Sequence, residues 1–495
     1  MNEPIKKHSL LSAVLLGIFA ATVSAPGEPA SWPNATVANG PLRAHPSDPR
    51  YFTDGTTNRD GSRKAVYLTG SHVHNNLQDM GETNPPPAFD FEAYLGFLDR
   101  HHHNFIRLWH WELPRWTATS DGHLRYCAPY PWPRTGPGQA FDGQPKFNLH
   151  EINPDYFRRL RARVSAARDR GIYTAIMLFE GWSLQFVTDA WGGHPFNPAN
   201  NVNGVGGDLN GARPALEIQT LANPAITAVQ EAYVRQVIET VNDLDNVLDE
   251  ISNESHPRST DWQYHMIQFI RKLEAAKPKQ HPVGMTFQYE GGSNAALLNS
   301  PADWISPGDE GDANYSNDPP AAPARKVSLL DTDHLAGANN FIAPATAADH
   351  GWVWKSLLRG HNPILMDSPG PADARRESAR TAMGHTRTFA ERINLAATTP
   401  QPKLASTRYC LASSDGEYLI YQPKGREGFS VELSGGTYRY EWFNAAKGEG
   451  AGGGQVQAAG GGQRFEAPFE GGAVLYLRED RGAGLKGATI GALAN

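Results

Sequence analysis

Eight short apolar runs, spread between residues 64 and 367, restrict this chain to very few folds. In order they are Lys64-Ala-Val-Tyr-Leu-Thr69, Asn104-Phe-Ile-Arg-Leu-Trp109, Ile172-Tyr-Thr-Ala-Ile-Met-Leu-Phe179 and Val247-Leu-Asp-Glu-Ile-Ser-Asn-Glu254. Pro282-Val-Gly-Met-Thr-Phe287, Ala302-Asp-Trp-Ile-Ser306, Lys326-Val-Ser-Leu-Leu-Asp331 and Pro363-Ile-Leu-Met-Asp367 complete the set. Near-continuous apolar runs bounded by turn residues suit strands buried on both faces of a parallel sheet. The segments between them change to helical spacing. Phe91, Tyr94, Leu95 and Leu98 share one helical face, as do Ile226, Val229, Tyr233 and Val237. Asn153-Pro154 and Asn223-Pro224 read as helix openings, where Asn caps free N–H groups and Pro loses no hydrogen bond. Further helices are expected over 260–276, 351–359 and 373–394.

Strands alternating with helices in this number predict a (β/α)8 barrel. Segments 70–87, 110–150 and 181–211 follow strands and are long, whereas the helix-to-strand connections are short. Barrel active sites lie on the strand-following side, so the chemistry is expected there. The barrel, preceded by a β-hairpin that includes Arg50-Tyr-Phe-Thr53, is expected over 31–400. Beyond it the pattern becomes short strands punctuated by turns, predicting a small all-β sandwich over 405–480. The glycine-rich stretch 448–462 reads as a loop, and 481–495 as a flexible tail. At the other end Lys6, Lys7 and His8 precede an apolar run from Leu10 to Val23, too short to span a bilayer. Residues 1–25 are therefore expected to be a secretory signal, making the mature protein secreted or periplasmic, with no membrane partner. A net charge of -7 argues against nucleic acid as a partner. Two cysteines, Cys127 and Cys410, make neither a disulfide framework nor a metal site.

The polar residues at the predicted strand ends are rich in carboxylates. They include His72 and His74 after the first strand, and Arg107, Trp111 and Glu112 around the second. Glu180 and Trp182 end the third, and Asn253 and Glu254 the fourth. Gln288 follows the fifth, Asp331, Asp333 and His334 the seventh, and Asp367 the eighth. Two carboxyl groups facing each other across a cleft are what acetal hydrolysis requires. One protonates the leaving oxygen, and the other attacks or stabilises the developing cation. The acid must keep its proton near neutral pH, through burial or neighbouring negative charge.

On these residues the chain resembles the clan A, cellulase-like glycoside hydrolases. Asn253-Glu254 at the end of the fourth strand is similar to their acid/base pair, and Arg107 to an arginine near their nucleophile. The resemblance implies that Glu254 is the acid/base and that Asn253 binds the sugar 2-hydroxyl. It places the nucleophile at the end of the seventh strand, where Asp331 or Asp333 stands instead of the usual Glu. Asp331, which directly ends the apolar run, comes first, Asp333 second, and Glu180 or Glu290 after them. The layout also resembles cellulases and apiosidase-like proteins carrying a C-terminal β-sandwich. No cofactor is implied, and the expected partner is a carbohydrate.

Two other readings compete. Ser71-His72-Val-His74 together with Asp367 resembles the two ends of an amidohydrolase metal site, but the intervening strands end in Glu254, Gln288 and Pro307-Gly-Asp309 where that family needs Lys and His. A carbohydrate-binding protein on an inactive barrel is the third reading. In either sugar-directed reading Trp111 and Trp182 are candidate stacking platforms for pyranose rings. His72, His74, Glu112, Glu180, Gln288, His334 and Asp367 are candidate substrate-binding groups.

Overall fold

The computed structural model describes residues 32, 36–119, 121–206, 214–335 and 349–481, and from Ala35 onward these belong to one unit. The expected signal segment and most of the expected tail lie outside the described residues. Eight parallel strands form one sheet: β1 (Gly70–His72), β2 (Phe105–Trp109), β3 (Tyr173–Glu180), β4 (Val247–Asn253), β5 (Val283–Thr286), β6 (Trp304–Ser306), β7 (Val327–Asp331) and β8 (Asn362–Met366). Each pairs with its neighbour in chain order from β2 to β8, and β8 pairs with β1. A helix follows each strand except β6: α1 (Phe91–Arg100), α2 (Pro154–Arg168), α3 (Pro224–Val241), α4 (Thr260–Glu274), α5 (Asn294–Asn299), α6 (His350–Leu358) and α7 (Ala374–Arg392). Among the described residues none is long and apolar enough to cross a membrane. The caps follow the expected chemistry, since Asn153 accepts from the N–H of Asp155 and Asn223 from those of Ala225 and Ile226.

Between β1 and β2 the ring closes through one backbone bond and several side-chain bonds rather than a strand ladder. The Asn104 N–H donates to the Thr69 carbonyl at 2.9 Å, while its Oδ1 accepts from the Thr69 N–H and its Nδ2 donates to the Tyr67 carbonyl. Asn76 and Gln78 continue along the same edge. They bond the carbonyl of Arg107, the N–H of Trp109, and both backbone groups of Trp111. The first strand was expected over 64–69 but forms at Gly70–His72, because Asn104 and Asn362 take the backbone groups of Tyr67, Leu68 and Thr69 that a ladder would use.

The lower barrel interior is apolar. Phe105, Ala175, Leu248, Trp304, Leu329 and Ile364 meet there, with Leu42 and Phe52 of the preceding hairpin (Arg43–Ala44 with Phe52–Thr53) packed against them. The Trp304 ring fits because β5 carries Gly284, where a Cβ would lie 1.9 Å from the indole. Above this layer the interior turns polar, beginning at Arg107.

At the C-terminus six antiparallel strands form a sheet, in spatial order Thr398–Pro400, Cys410–Ser413, Glu417–Gln422, Ala473–Glu479, Gly436–Asn444 and Glu449–Ala458. A two-stranded ribbon, Phe429–Leu433 with Gly461–Phe465, covers one face and completes the sandwich. The other face packs on Trp352, Trp354 and Phe389 of α6 and α7, so barrel and sandwich share a core. The glycine-rich stretch is mostly strand, not loop. Its glycines pack where side chains cannot, since a Cβ on Gly454 would meet the Tyr440 ring.

Gly284→Ala is expected to destabilise the protein by about 1–3 kcal/mol through overpacking. Chemical denaturation measures the loss, and Trp304→Leu in the same chain is expected to recover part of it.

Candidate active site

Arg107 points up the barrel axis and its guanidinium is almost wholly engaged. It forms a two-pronged pair with Glu250 of β4, at 2.8 Å from Nε and 2.5 Å from Nη2. Nη1 reaches Asp331 at 3.1 Å and Asp333 at 2.9 Å, and Nη2 also donates to Asn253 Oδ1 at 2.8 Å. One cation thus ties β2, β4 and β7 together at the depth where the interior stops being apolar. Burial disfavours the Arg107 charge, but Glu250 and Asp331 outweigh that and hold its pKa well above the usual arginine value.

Asp331 ends β7 and is the most thoroughly bonded carboxylate of the group. It accepts from Arg107, from the Asp333 N–H at 3.0 Å, and from His72 Nε2 at 2.8 Å to Oδ2. The tautomer of His72 follows from its other nitrogen. The Trp109 indole N–H, which can only donate, sits 2.9 Å from His72 Nδ1, so the proton is on Nε2 and is given to Asp331. Burial alone would raise the Asp331 pKa; His72 and Arg107 reverse this and hold it well below the usual carboxylate range.

Glu254 follows directly after β4, and its backbone is left-handed, with φ of +45°. For a residue with a Cβ that conformation costs about 1–2 kcal/mol. The surroundings enforce it. Gln185 Nε2 donates to the Glu254 carbonyl at 2.8 Å, and the Gly181 N–H donates to the Asn253 carbonyl at 2.8 Å. Gly181 also lies so close to Ser255 that a Cβ there would come within 2.4 Å of its Cα. Glu254 is 8% exposed, at the strand-following end of the barrel. Burial raises its pKa well above the usual value, and three carboxyl groups add to this: Asp333 most, then Glu180 and Asp331, against the opposing charge of Arg107. Burial and the Asp331 charge likewise raise Asp333, with Arg107 opposing.

The remaining candidates divide between this cluster and its supports. His334 donates from Nε2 to Asn253 Oδ1 at 3.0 Å and accepts from Ser306 at Nδ1, and burial pushes its pKa down to about 3, so the ring is neutral. Asn253 Oδ1 therefore takes two donors, and its Nδ2 donates to no group among the described residues. Glu180 is fully buried beside Glu254. It accepts from the Ser183 N–H and hydroxyl, anchoring the short helix Trp182–Phe186, and burial pushes its pKa up to about 8. Glu112 braces β3 by accepting the Glu180 N–H, and does not meet the Arg107 cluster. Gln288 bonds the His256 carbonyl, Ser259 and Thr260, tying the end of β5 to the segment after β4. His74 is half-buried, makes no hydrogen bond among the described residues, and is pushed down by burial to about 4. Asp367 is turned away from the mouth, its carboxylate held by Arg380 of α7.

With Asp367 on Arg380 and both His72 nitrogens occupied, the two ends of the amidohydrolase-like constellation do not converge. Among the described residues no three His, Cys, Asp or Glu side chains are placed to hold a metal ion. Trp111 is also not an open platform, because it is buried with the Trp116 ring 4.7 Å away. Trp182 is half-buried and continues through Phe186 to Tyr289, with centroid steps of 5.9 and 5.5 Å. Tyr289 is 38% exposed, so this aromatic run emerges at the surface. Sequence reasoning takes Trp109 as core packing and passes over Gln185 and Phe186. Only Phe186 left a signal, four residues after Trp182 on a helix.

Residues 125–291 match a family described as a domain of unknown function, DUF6298, a span that includes Glu180, Asn253 and Glu254 but not β7. No curated protein matches the chain. The fold is similar to that of a glycoside hydrolase of 12% identity, covering 90% of this chain and 98% of the other with a TM-score of 0.55. It is also similar to a family 5 glycoside hydrolase from Bacteroides vulgatus, 12% identical, with coverages of 91% and 95% and a TM-score of 0.59. At these identities the likeness is one of fold, and it spans barrel and sandwich together.

Arg107→Met is expected to cost about 3–5 kcal/mol, because it strands three buried carboxyl groups. The loss should be larger at pH 8 than at pH 5, where protonation can neutralise part of the cluster; denaturant midpoints at the two pH values measure it.

Proposed function

We propose that the protein is a glycosidase in which Glu254 is the general acid and Asp333 the ionised partner carboxylate. The observation that carries this reading is the contrast between Glu254 and Asp331. Both are buried in one cluster, yet Asp331 is held ionised by His72 and Arg107, whereas Glu254 is held protonated by burial and by the surrounding carboxylates. A carboxylic acid that keeps its proton beside ionised carboxylates is what protonation of a glycosidic oxygen needs. The fold likeness to glycoside hydrolases supports the same class.

The sequence ranked Asp331 ahead of Asp333 as nucleophile, and the geometry favours the reverse. Three donors converge on Asp331, and spending its lone pairs on them makes it a poor nucleophile. Asp333, two residues on, exerts the strongest charge effect on Glu254 and touches Arg107, which opposes its protonation. Asp331 then serves as a positioning residue that sets Asp333 through its N–H and shares Arg107 with it. Asn253, fixed by Arg107 and His334, offers its Nδ2 hydrogens to a sugar hydroxyl. Glu250 is wholly engaged by Arg107 and takes no part in proton transfer.

Glu254→Gln and Asp333→Asn are each expected to lower kcat on a hydrolysed glycoside by about 100-fold or more, whereas a carbohydrate-binding protein would bind glycans equally with either change and hydrolyse none. The pH profile is a finer test. Glu254 sets the alkaline limb of kcat/KM, and Glu180, itself pushed up to about 8, ionises over that limb and adds its charge, so Glu180→Gln should move the limb to lower pH. An unmoved limb would take Glu254 out of the acid role.

A further inference from the structure

The charge around the acid limits what can bind beside it. Among the described residues Arg107 is the one cation that meets the cluster, and it already faces Glu250, Asp331 and Asp333 at 2.5, 3.1 and 2.9 Å. Both His72 nitrogens are committed, Nδ1 accepting the Trp109 indole N–H and Nε2 donating to Asp331, and His334 is neutral because burial holds its pKa to about 3. Asp367, just after β8, is paired with Arg380 of α7, so one guanidinium faces the three carboxyl groups of Glu250, Asp331 and Asp333. Among the described residues the local field is therefore negative, with no uncommitted positive group. That field keeps the proton on Glu254, and a ring carboxylate or sulfate placed nearby would meet it unpaired. The groups that do remain available suit an uncharged ring. Among the described residues Asn253 Nδ2 is an unpartnered donor on a buried side chain, and Trp182, Phe186 and Tyr289 present an emerging line of aromatic faces.

We infer that the site accepts uncharged glycans and rejects those bearing a carboxylate or sulfate on the ring seated at Asn253, an inference that rests on the glycosidase reading. The physical basis is like-charge juxtaposition in a buried site, which costs several kcal/mol and sets specificity more than affinity. Neutral hydroxyls lose nothing to the field, because carboxylates accept their hydrogen bonds.

The full-length protein is to be assayed on matched 4-nitrophenyl glycosides: glucosides, galactosides, mannosides, xylosides and arabinosides against glucuronides and galacturonides. Turnover is expected on the neutral set only, with kcat/KM higher by about 100-fold or more and lost in Glu254→Gln. Comparable or faster turnover of a hexuronide overturns the inference and leaves the glycosidase reading intact if Glu254→Gln abolishes it. Hydrolysis of neutral glycosides that persists in Glu254→Gln instead overturns the assignment of the acid while the charge selectivity stands. Calorimetric titration with neutral oligosaccharides and with oligogalacturonides gives a second readout that needs no turnover, and tighter binding of the uronate series overturns the inference.

Discussion

A single guanidinium organises the upper half of this barrel. Arg107 bridges three strands, satisfies Glu250 on both oxygens, and leaves one nitrogen for Asp331 and Asp333 together. Buried charges persist only when paired and hydrogen-bonded, so the carboxylates of β4 and β7 depend on this residue for their place in the interior. It is also one charge against several. Glu254, which Arg107 does not touch, has its pKa raised well above the usual value by burial and by the neighbouring carboxyl groups. In the proposed glycosidase, the surplus of acid residues at the mouth is what separates two carboxyl groups into an acid and an anion.

Rigid support reaches Glu254 from the neighbouring strand. Glu180 fastens the helix Trp182–Phe186, Gln185 of that helix holds the Glu254 carbonyl, and Gly181 allows the two chain segments to approach. The left-handed backbone of Glu254 is the cost of this arrangement, and strain of this kind is characteristic of functional positions held by over-determined surroundings. The same short helix carries Trp182 and Phe186, so the aromatic line and the acid are set by one element.

The barrel was legible because its strands are continuous apolar runs, and the polar residue ending each run could be read directly as a candidate. What escaped the sequence were events between distant side chains. Strand β1 slipped past its apolar run because Asn104 and Asn362 occupy the backbone groups of Tyr67 to Thr69, which no local pattern reveals. The proposed order of Asp331 and Asp333 rests on which carboxylate receives His72, a contact across 259 residues of chain. Asp367 looked like a mouth residue until Arg380, 13 positions later, was seen to hold it. Trp109 read as core, and it is buried, yet its indole nitrogen fixes the tautomer of His72. The strand over Glu449–Ala458 was hidden by its glycines, because strand propensity reports side-chain packing and here the partner strand supplies the side chains.

The most direct measurement of the central claim is the protonation state of Glu254 in the folded protein. Carbon-detected NMR titration of carboxyl-labelled glutamate, with Glu254→Gln to assign the signal, reads it without any substrate. The account predicts a Glu254 carboxyl that is still protonated at pH 7 and whose titration moves to lower pH in Glu180→Gln. A Glu254 signal that titrates in the ordinary range near pH 4–5, unaffected by Glu180, would contradict it.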